Sequence, residues 1–273
     1  MIGPGILTRT LSVPTCRGKD KKAWQYHPRS DVHSKIACWT LLLDCLLECD
    51  ALYEDAVAGR IGFAINYLMV GPINKTLDLV FTRVPRSRSD GVGRRTFAEV
   101  GLSYGIELSE AEQARLAGLE AVFEERKDDV SEVAIAVEAK ACMTDHVGAL
   151  PRLHAEILAT GYLARRAAPQ CTVISYTLVN TADSFVSGDG KSKVMRQPDS
   201  TKAVLAMLAN AVPLRRDEHG LLGYDAVGAL TIECRNDGSP VTLSGAESAP
   251  RATDSIRYER MIRQICATYR NRR

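Results

Sequence analysis

The sequence is poor in aromatic residues, only 6% of 273, and its acidic and basic residues nearly cancel to a formal net charge of +2. It contains no run of 18 apolar residues, so no bilayer-crossing helix is expected, and its N-terminus lacks the apolar core of a signal peptide. The eight cysteines (16, 38, 45, 49, 142, 171, 234 and 266) include no CxxC pair. Cys38, Cys45 and Cys49 fall in an apolar helical pattern and Cys171 opens an apolar strand, so the thiols read as small buried hydrophobes in a reducing compartment rather than a disulfide frame or zinc site. No internal repeat is present. These absences make a soluble, cytoplasmic protein the expectation, and the length allows one large domain or two small ones with ample core.

What charge there is lies unevenly. Residues 1–35 carry seven Lys/Arg against two acids, residues 251–273 carry seven Arg against two acids, and residues 99–132 carry ten acids against three basic residues. Basic ends with a near-neutral middle suit a polyanion partner or, equally, an ordinary solvated surface.

The stretch that organises the chain is 131–143, SEVAIAVEAKACM. Val133, Ile135 and Val137 alternate with small residues at a period of two, which predicts a central strand covered on both faces. Glu138 and Lys140 point from one face of it, about 7 Å apart. A carboxylate and an ammonium are costly to bury unless paired or bound to something.

Around this strand the pattern predicts an irregular basic arm over 1–30 and a helix over 32–53 capped by Ser30 or Asp31, with His33, Thr40, Asp44 and Glu48 near one stripe. A strand over 61–70, a turn over 71–74 and a strand over 76–83 carrying Asp78 form a hairpin. Residues 84–130 interrupt the sheet with a basic loop (Arg86, Arg88, Arg94, Arg95) and a charged helix over 109–127, with Ser109 and Glu112 spaced as a capping box. A helix over 148–166 and an apolar strand over 171–179 complete a parallel crossover. Beyond a polar loop at 182–200 come a helix over 201–211, a hairpin about 236–238 and a final helix over 253–269.

Helix, three strands, helix, strand, with Asp78 on the second strand and Glu138-x-Lys140 on the third, resembles the PD-(D/E)XK nuclease superfamily, the restriction-endonuclease-like fold. The resemblance covers roughly 32–180, and Leu77 stands where the family's proline would be. Acid-x-Lys triplets also occur at Asp20, Glu125 and Asp189, but in polar segments where a solvated surface pair explains them. The fold it implies is α/β, an αβββαβ core with a mixed central sheet flanked by helices. The core would span 31–185 with an insertion at 84–130, and a C-terminal helix and hairpin extension, 186–273, would pack on it.

The resemblance implies a Mg²⁺-dependent endonuclease acting on DNA, such as a type II restriction enzyme, with Mn²⁺ able to substitute and a homodimer to cut both strands. Asp78, Glu138 and the Ala139 carbonyl would hold the metal, and Lys140 would activate water or stabilise developing charge. Either Asp44 or Glu48, with Glu48 favoured, would join them from the first helix, unless that stripe faces solvent. His154 and Glu156 occupy the crossover helix where relatives carry an accessory polar residue, although His154 suits an ordinary surface or core position. Lys75, Arg94, Arg95, Arg260 and Arg263 are the basic residues expected to contact DNA. His33 with Lys35, and Asn66 and Asn74 on the hairpin, have both phosphate-contact and plain structural readings. The competing functions are a nucleic-acid-binding module of the same fold without catalysis, and an assembly protein whose buried ion pairs imitate a site.

Overall fold

The computed structural model describes residues 1–17, 22–70, 73–84, 94–116, 123–126, 130–211 and 223–273. Arg86 and Arg88, the first half of the 71–74 turn, the end of the 109–127 helix, Asp20 and Lys127 lie outside the described residues.

The chain opens with α1 (Gly3–Leu11), where an irregular arm is expected. Pro4 suits the first turn, and Ile6, Leu7 and Leu11 share one side and are buried. The Asp44 carboxylate accepts from the Ile2 and Gly3 amides (2.9 and 3.0 Å), satisfying donors that α1 cannot pair itself. The two-residue strands β1 (Cys16–Arg17) and β2 (Ala23–Trp24) pair next. Asn236 then holds the following segment, accepting from the Tyr26 amide and donating to its carbonyl. The described part of the 1–30 segment is therefore built into the fold, because Ile6, Leu7, Leu11, Cys16 and Trp24 are covered and its backbone is bonded to distant side chains.

The expected helix over 32–53 is two helices, α2 (Val32–Glu48) and α3 (Asp50–Val57), broken where Cys49 turns extended. A meander follows: β3 (Ile61–Met69) and β4 (Lys75–Arg83) pair antiparallel, and β4 pairs antiparallel with β5 (Glu132–Cys142). Between them lie α4 (Phe97–Ser103) and α5 (Glu110–Leu116). Ser109 and Glu112 make the expected reciprocal capping bonds. This insertion is more than a charged surface. Phe97 stacks on Trp39 of α2 at 4.2 Å and meets Phe63 and Phe123 edge-on, and the Trp39 indole donates to the Phe97 carbonyl. Four of the sixteen aromatic residues thus meet where the insertion seals one side of the sheet.

From β5 the chain crosses through α6 (His146–Ala167) to β6 (Thr172–Asn180), which lies parallel to β5. A small hairpin, β7 (Ser184–Val186) with β8 (Ser192–Val194), leads into α7 (Asp199–Ala211), and then β9 (Ala226–Glu233) runs parallel to β6. Strand β10 (Thr242–Leu243) pairs antiparallel with β9, and α8 (Tyr258–Arg272) ends the chain. Among the described residues the sheet is mixed and six-stranded, in the order β10-β9-β6-β5-β4-β3. Helices α1, α2 and α8 share one core with one face, and α6 and α7 share a second core with the other. The architecture is therefore α/β, a mixed central sheet flanked by helices. Two strands of the C-terminal third are hydrogen-bonded into that sheet, so this segment extends the sheet itself instead of packing on a finished core.

Candidate functional site

Strands β4 and β5 are paired from Arg83↔Glu132 to Leu79↔Val137 and then part. Beyond this fork β4 pairs only with β3, and β5 only with β6. Asp78 and Glu138 are the first residue of each strand past the fork. Across β4, Asn66 of β3 has a positive φ of 55° and drops out of the ladder between the Ile65↔Leu79 and Tyr67↔Leu77 pairs. Leu79 and Phe81 join the α2 and α8 core, whereas Leu77 joins the α6 and α7 core, so the alternation of β4 switches faces at Asp78.

The Asp78 carboxylate fills the fork by accepting from the Ala139 amide at 2.8 Å, the bond a strand carbonyl would otherwise take. In an extended strand the N–H and C=O of one residue point the same way, so Ala139 also turns its carbonyl towards the fork. Ala136 and Cys142 belong to the α6 and α7 core and Val137 and Ala139 to the other, which places Glu138 and Lys140 under α6. Glu138 is buried, 2% exposed. Its Oε1 meets Lys140 Nζ at 2.6 Å and Lys75 Nζ at 3.1 Å, and its Oε2 is buried with no partner. Lys140 also meets Glu156 of α6 at 3.3 Å, and Arg152 lies 3.6 Å from the same carboxylate.

The electrostatics follow from this crowding. Burial first, and the Glu138 charge second, push the Asp78 carboxyl up to about 6. Burial pulls the Lys140 ammonium down, but Glu138, through its charge and its hydrogen bond, outweighs it and leaves Lys140 above its ordinary range. Asp78, Glu138 and Lys140 therefore meet in one place.

Other expectations change. Glu48 sits at the end of α2 against the Met1 amino group at 3.4 Å, and Asp44 is buried between the start of α1 and the Tyr258 hydroxyl (3.0 Å). The part of α2 that passes the carboxylate pair is at Cys38, whose thiol burial and then Asp78 and Glu138 push up. Asp44 is six residues further on, about 9 Å along the axis. The acid stripe therefore serves α1 and α8, because the second half of α2 has those helices as its neighbours.

Lys75 is ion-paired to Glu138 at the fork (3.1 Å). Arg95 is bound by Glu125 at 2.6 Å, Arg94 lies 3.9 Å from Glu124, and Arg260 donates to the Thr253 carbonyl; only Arg263 of the five is simply exposed. His154 is exposed, while its neighbour Glu156 is the group that reaches Lys140. His33 packs on the Tyr26 ring at 4.7 Å, and burial pushes it down to about 4, so it is neutral at pH 7; Lys35 pairs with Asp31 at 2.8 Å.

Sequence reasoning missed two hydroxyls. Ser175 and Thr177 of β6 stand in register with Glu138 and Lys140, on the same face, buried and without partners. The signal was present: they are polar residues two apart, and so on one face, in the middle of a largely apolar strand.

These oxygens fit a hard divalent cation. Two carboxylates and one backbone carbonyl face a fork in the sheet, and one buried carboxylate oxygen has no other partner. No cluster of three His, Cys, Asp or Glu exists among the described residues, so phosphate oxygens and water would complete the shell, as Mg²⁺ prefers. Neither family models, curated proteins nor solved structures offer a match to this chain.

Proposed function

We propose that the chain is a divalent-metal-dependent phosphodiesterase of the restriction-endonuclease-like kind, acting on DNA. The observation that carries this reading is the unpartnered, buried Glu138 Oε2 beside Asp78 at the parting of β4 and β5. The order of elements supports it: a helix, an antiparallel three-strand meander and a parallel crossover through α6.

Asp78, Glu138 and the Ala139 carbonyl would hold Mg²⁺, or Mn²⁺ in its place. When bound, the ion supplies charge neutralisation at the phosphate and lowers the pKa of a bound water. Glu138 and Glu156 hold Lys140 from two sides, so its ammonium is already ordered when negative charge builds on the phosphate oxygens. Lys75 offers a second positive charge on the same carboxylate oxygen. Cutting both strands of a duplex calls for two such sites, which a homodimer supplies.

The test is incubation of the purified chain with plasmid and phage DNA, with and without Mg²⁺. Wild type should cut only with metal, and Asp78→Asn and Lys140→Ala should each lose on the order of 100-fold or more in rate. If Lys140→Ala cuts at the wild-type rate, the site assignment is wrong. One observation favours a second reading, a non-catalytic nucleic-acid-binding module: Glu138 Oε1 already has two ammonium partners. Under that reading DNA is bound but stays intact at every metal concentration.

A further inference from the structure

Three cations that the sequence did not single out stand together at one end of the sheet. Arg29, Lys193 and Arg196 are exposed and, among the described residues, have no side-chain hydrogen bond or ion pair. All three lie at the end of the sheet where β5 and β6 finish. Lys193 lines two adjoining clefts there. One, of about 640 Å³, also takes in His27, Arg29, Gly188 and Asp189; the other, of about 350 Å³, takes in Asp145, His146, Gly148 and Arg196.

The β7–β8 hairpin that carries Lys193 is fixed in place. The Val186 amide donates to the Arg235 carbonyl, Asn236 donates to the Val186 carbonyl, and Met195 donates to the Asp183 carbonyl, all within 2.7–2.8 Å. Gly188 is packed so closely on the His27 ring that an added Cβ would lie 2.9 Å from it, which holds the hairpin turn against the segment bearing Arg29. The acids of the clefts are engaged: Asp189 with Ser187 and Lys191, Asp145 with the Gly148 amide.

This surface runs directly into the candidate site. Gly148, Arg152 and Glu156 are spaced by four on α6 and so form one stripe. The stripe starts in the second cleft and ends on Lys140. From Gly148 to Glu156 is about 12 Å along the helix. That equals three to four nucleotides at about 3.4 Å per nucleotide of one strand.

We infer that Arg29, Arg152, Lys193 and Arg196 form the face that grips the duplex DNA backbone about three to four nucleotides from the bond held at Asp78, Glu138 and Lys140. The distance to a scissile bond rests on the phosphodiesterase reading; the binding face does not. The anchored hairpin places Lys193 beside the duplex, and the α6 stripe carries the strand from there to the site.

The experiment measures binding of the full chain to a labelled random duplex of about 30 base pairs, in chelator, between about 50 and 200 mM salt. Arg29→Ala/Lys193→Ala/Arg196→Ala should flatten the plot of log affinity against log salt by about 2–3 units, at about 0.9 per lost contact, while Lys202→Ala, on the outer side of α7, leaves it unchanged. The triple variant should melt within about 2 °C of wild type, since none of the three side chains has a partner to lose. A wild-type salt slope in the triple variant overturns the inference, as does a wild-type chain that fails to bind the duplex at the lowest salt. Normal binding, flattened in the triple variant but without Mg²⁺-dependent cutting, would uphold this face and sink the phosphodiesterase reading alone.

Discussion

Asp78 carries its proton to a higher pH than an ordinary aspartate because it is buried and faces Glu138. Its folded value, about 6, exceeds the ordinary 3.8, so between these values the folded chain holds a proton that the unfolded chain has released. Rising pH through that window therefore destabilises the metal-free fold, by at most about 2–3 kcal/mol from this one group. Asp78→Asn cannot titrate, yet its side-chain carbonyl can still accept from Ala139. Relative to wild type it should gain stability by about that amount between pH 4.5 and pH 7.5 in chelator, read from urea melts at both pH values. A difference between the two proteins that does not change with pH would show that the fold does not raise the Asp78 carboxyl above its ordinary range. Added Mg²⁺ should raise the wild-type melting temperature and leave that of Asp78→Asn unmoved.

Among the elements, one polar side chain ties α1, α2 and α8 together. Asp44 accepts from two backbone amides of α1 and from the Tyr258 hydroxyl at the start of α8, and burial pushes its carboxyl up. Asp44→Ala would strand three buried donors and should cost about 2–4 kcal/mol in a urea melt. Because Asp44 serves the helices and not the fork, the Mg²⁺ requirement of any cleavage should stay at the wild-type value. Helix α8 meets β9 in a similar way, with Met261 seated directly over Gly228. A Cβ there would overlap the Met261 sulfur, so Gly228→Ala should cost about 1–3 kcal/mol, measurable by the same melt, and a neutral substitution would show that α8 can shift freely.

Across the whole molecule, the arginine-rich end is tied inward. Arg272 donates to the Gln170 carbonyl and the Thr172 hydroxyl and lies 3.6 Å from Asp225, and Arg273 pairs with Glu54 and Asp55 at 2.9 and 3.0 Å. These contacts join the last turn of α8 to the start of β6 and to α3. Arg272→Ala/Arg273→Ala should therefore lower stability in a urea melt and leave the salt slope of DNA binding unchanged. A flatter salt slope at unaltered stability would return this segment to the nucleic-acid interface.

The central strand, the meander and the crossover were legible in the amino-acid order because they rest on local periodicity: alternation in 131–143, an apolar run in 171–179 and an amphipathic stretch in 148–166. The meeting of Asp78 with Glu138 and Lys140 was implied only by the family resemblance; the antiparallel pairing of β4 with β5 is what sets the start of one strand beside the end of the other. What covers a face is not local. Helix α1 is short and glycine-rich, and its amide donors are met by a side chain 41 residues away. The partners of Lys75, Arg95 and Arg272 likewise lie 63, 30 and about 100 residues distant. A lone basic residue in sequence looks the same whether it faces water or a buried carboxylate. Only the folded chain separates them, because an ion pair is fixed by distance through space, and that distance is set by how the layers pack.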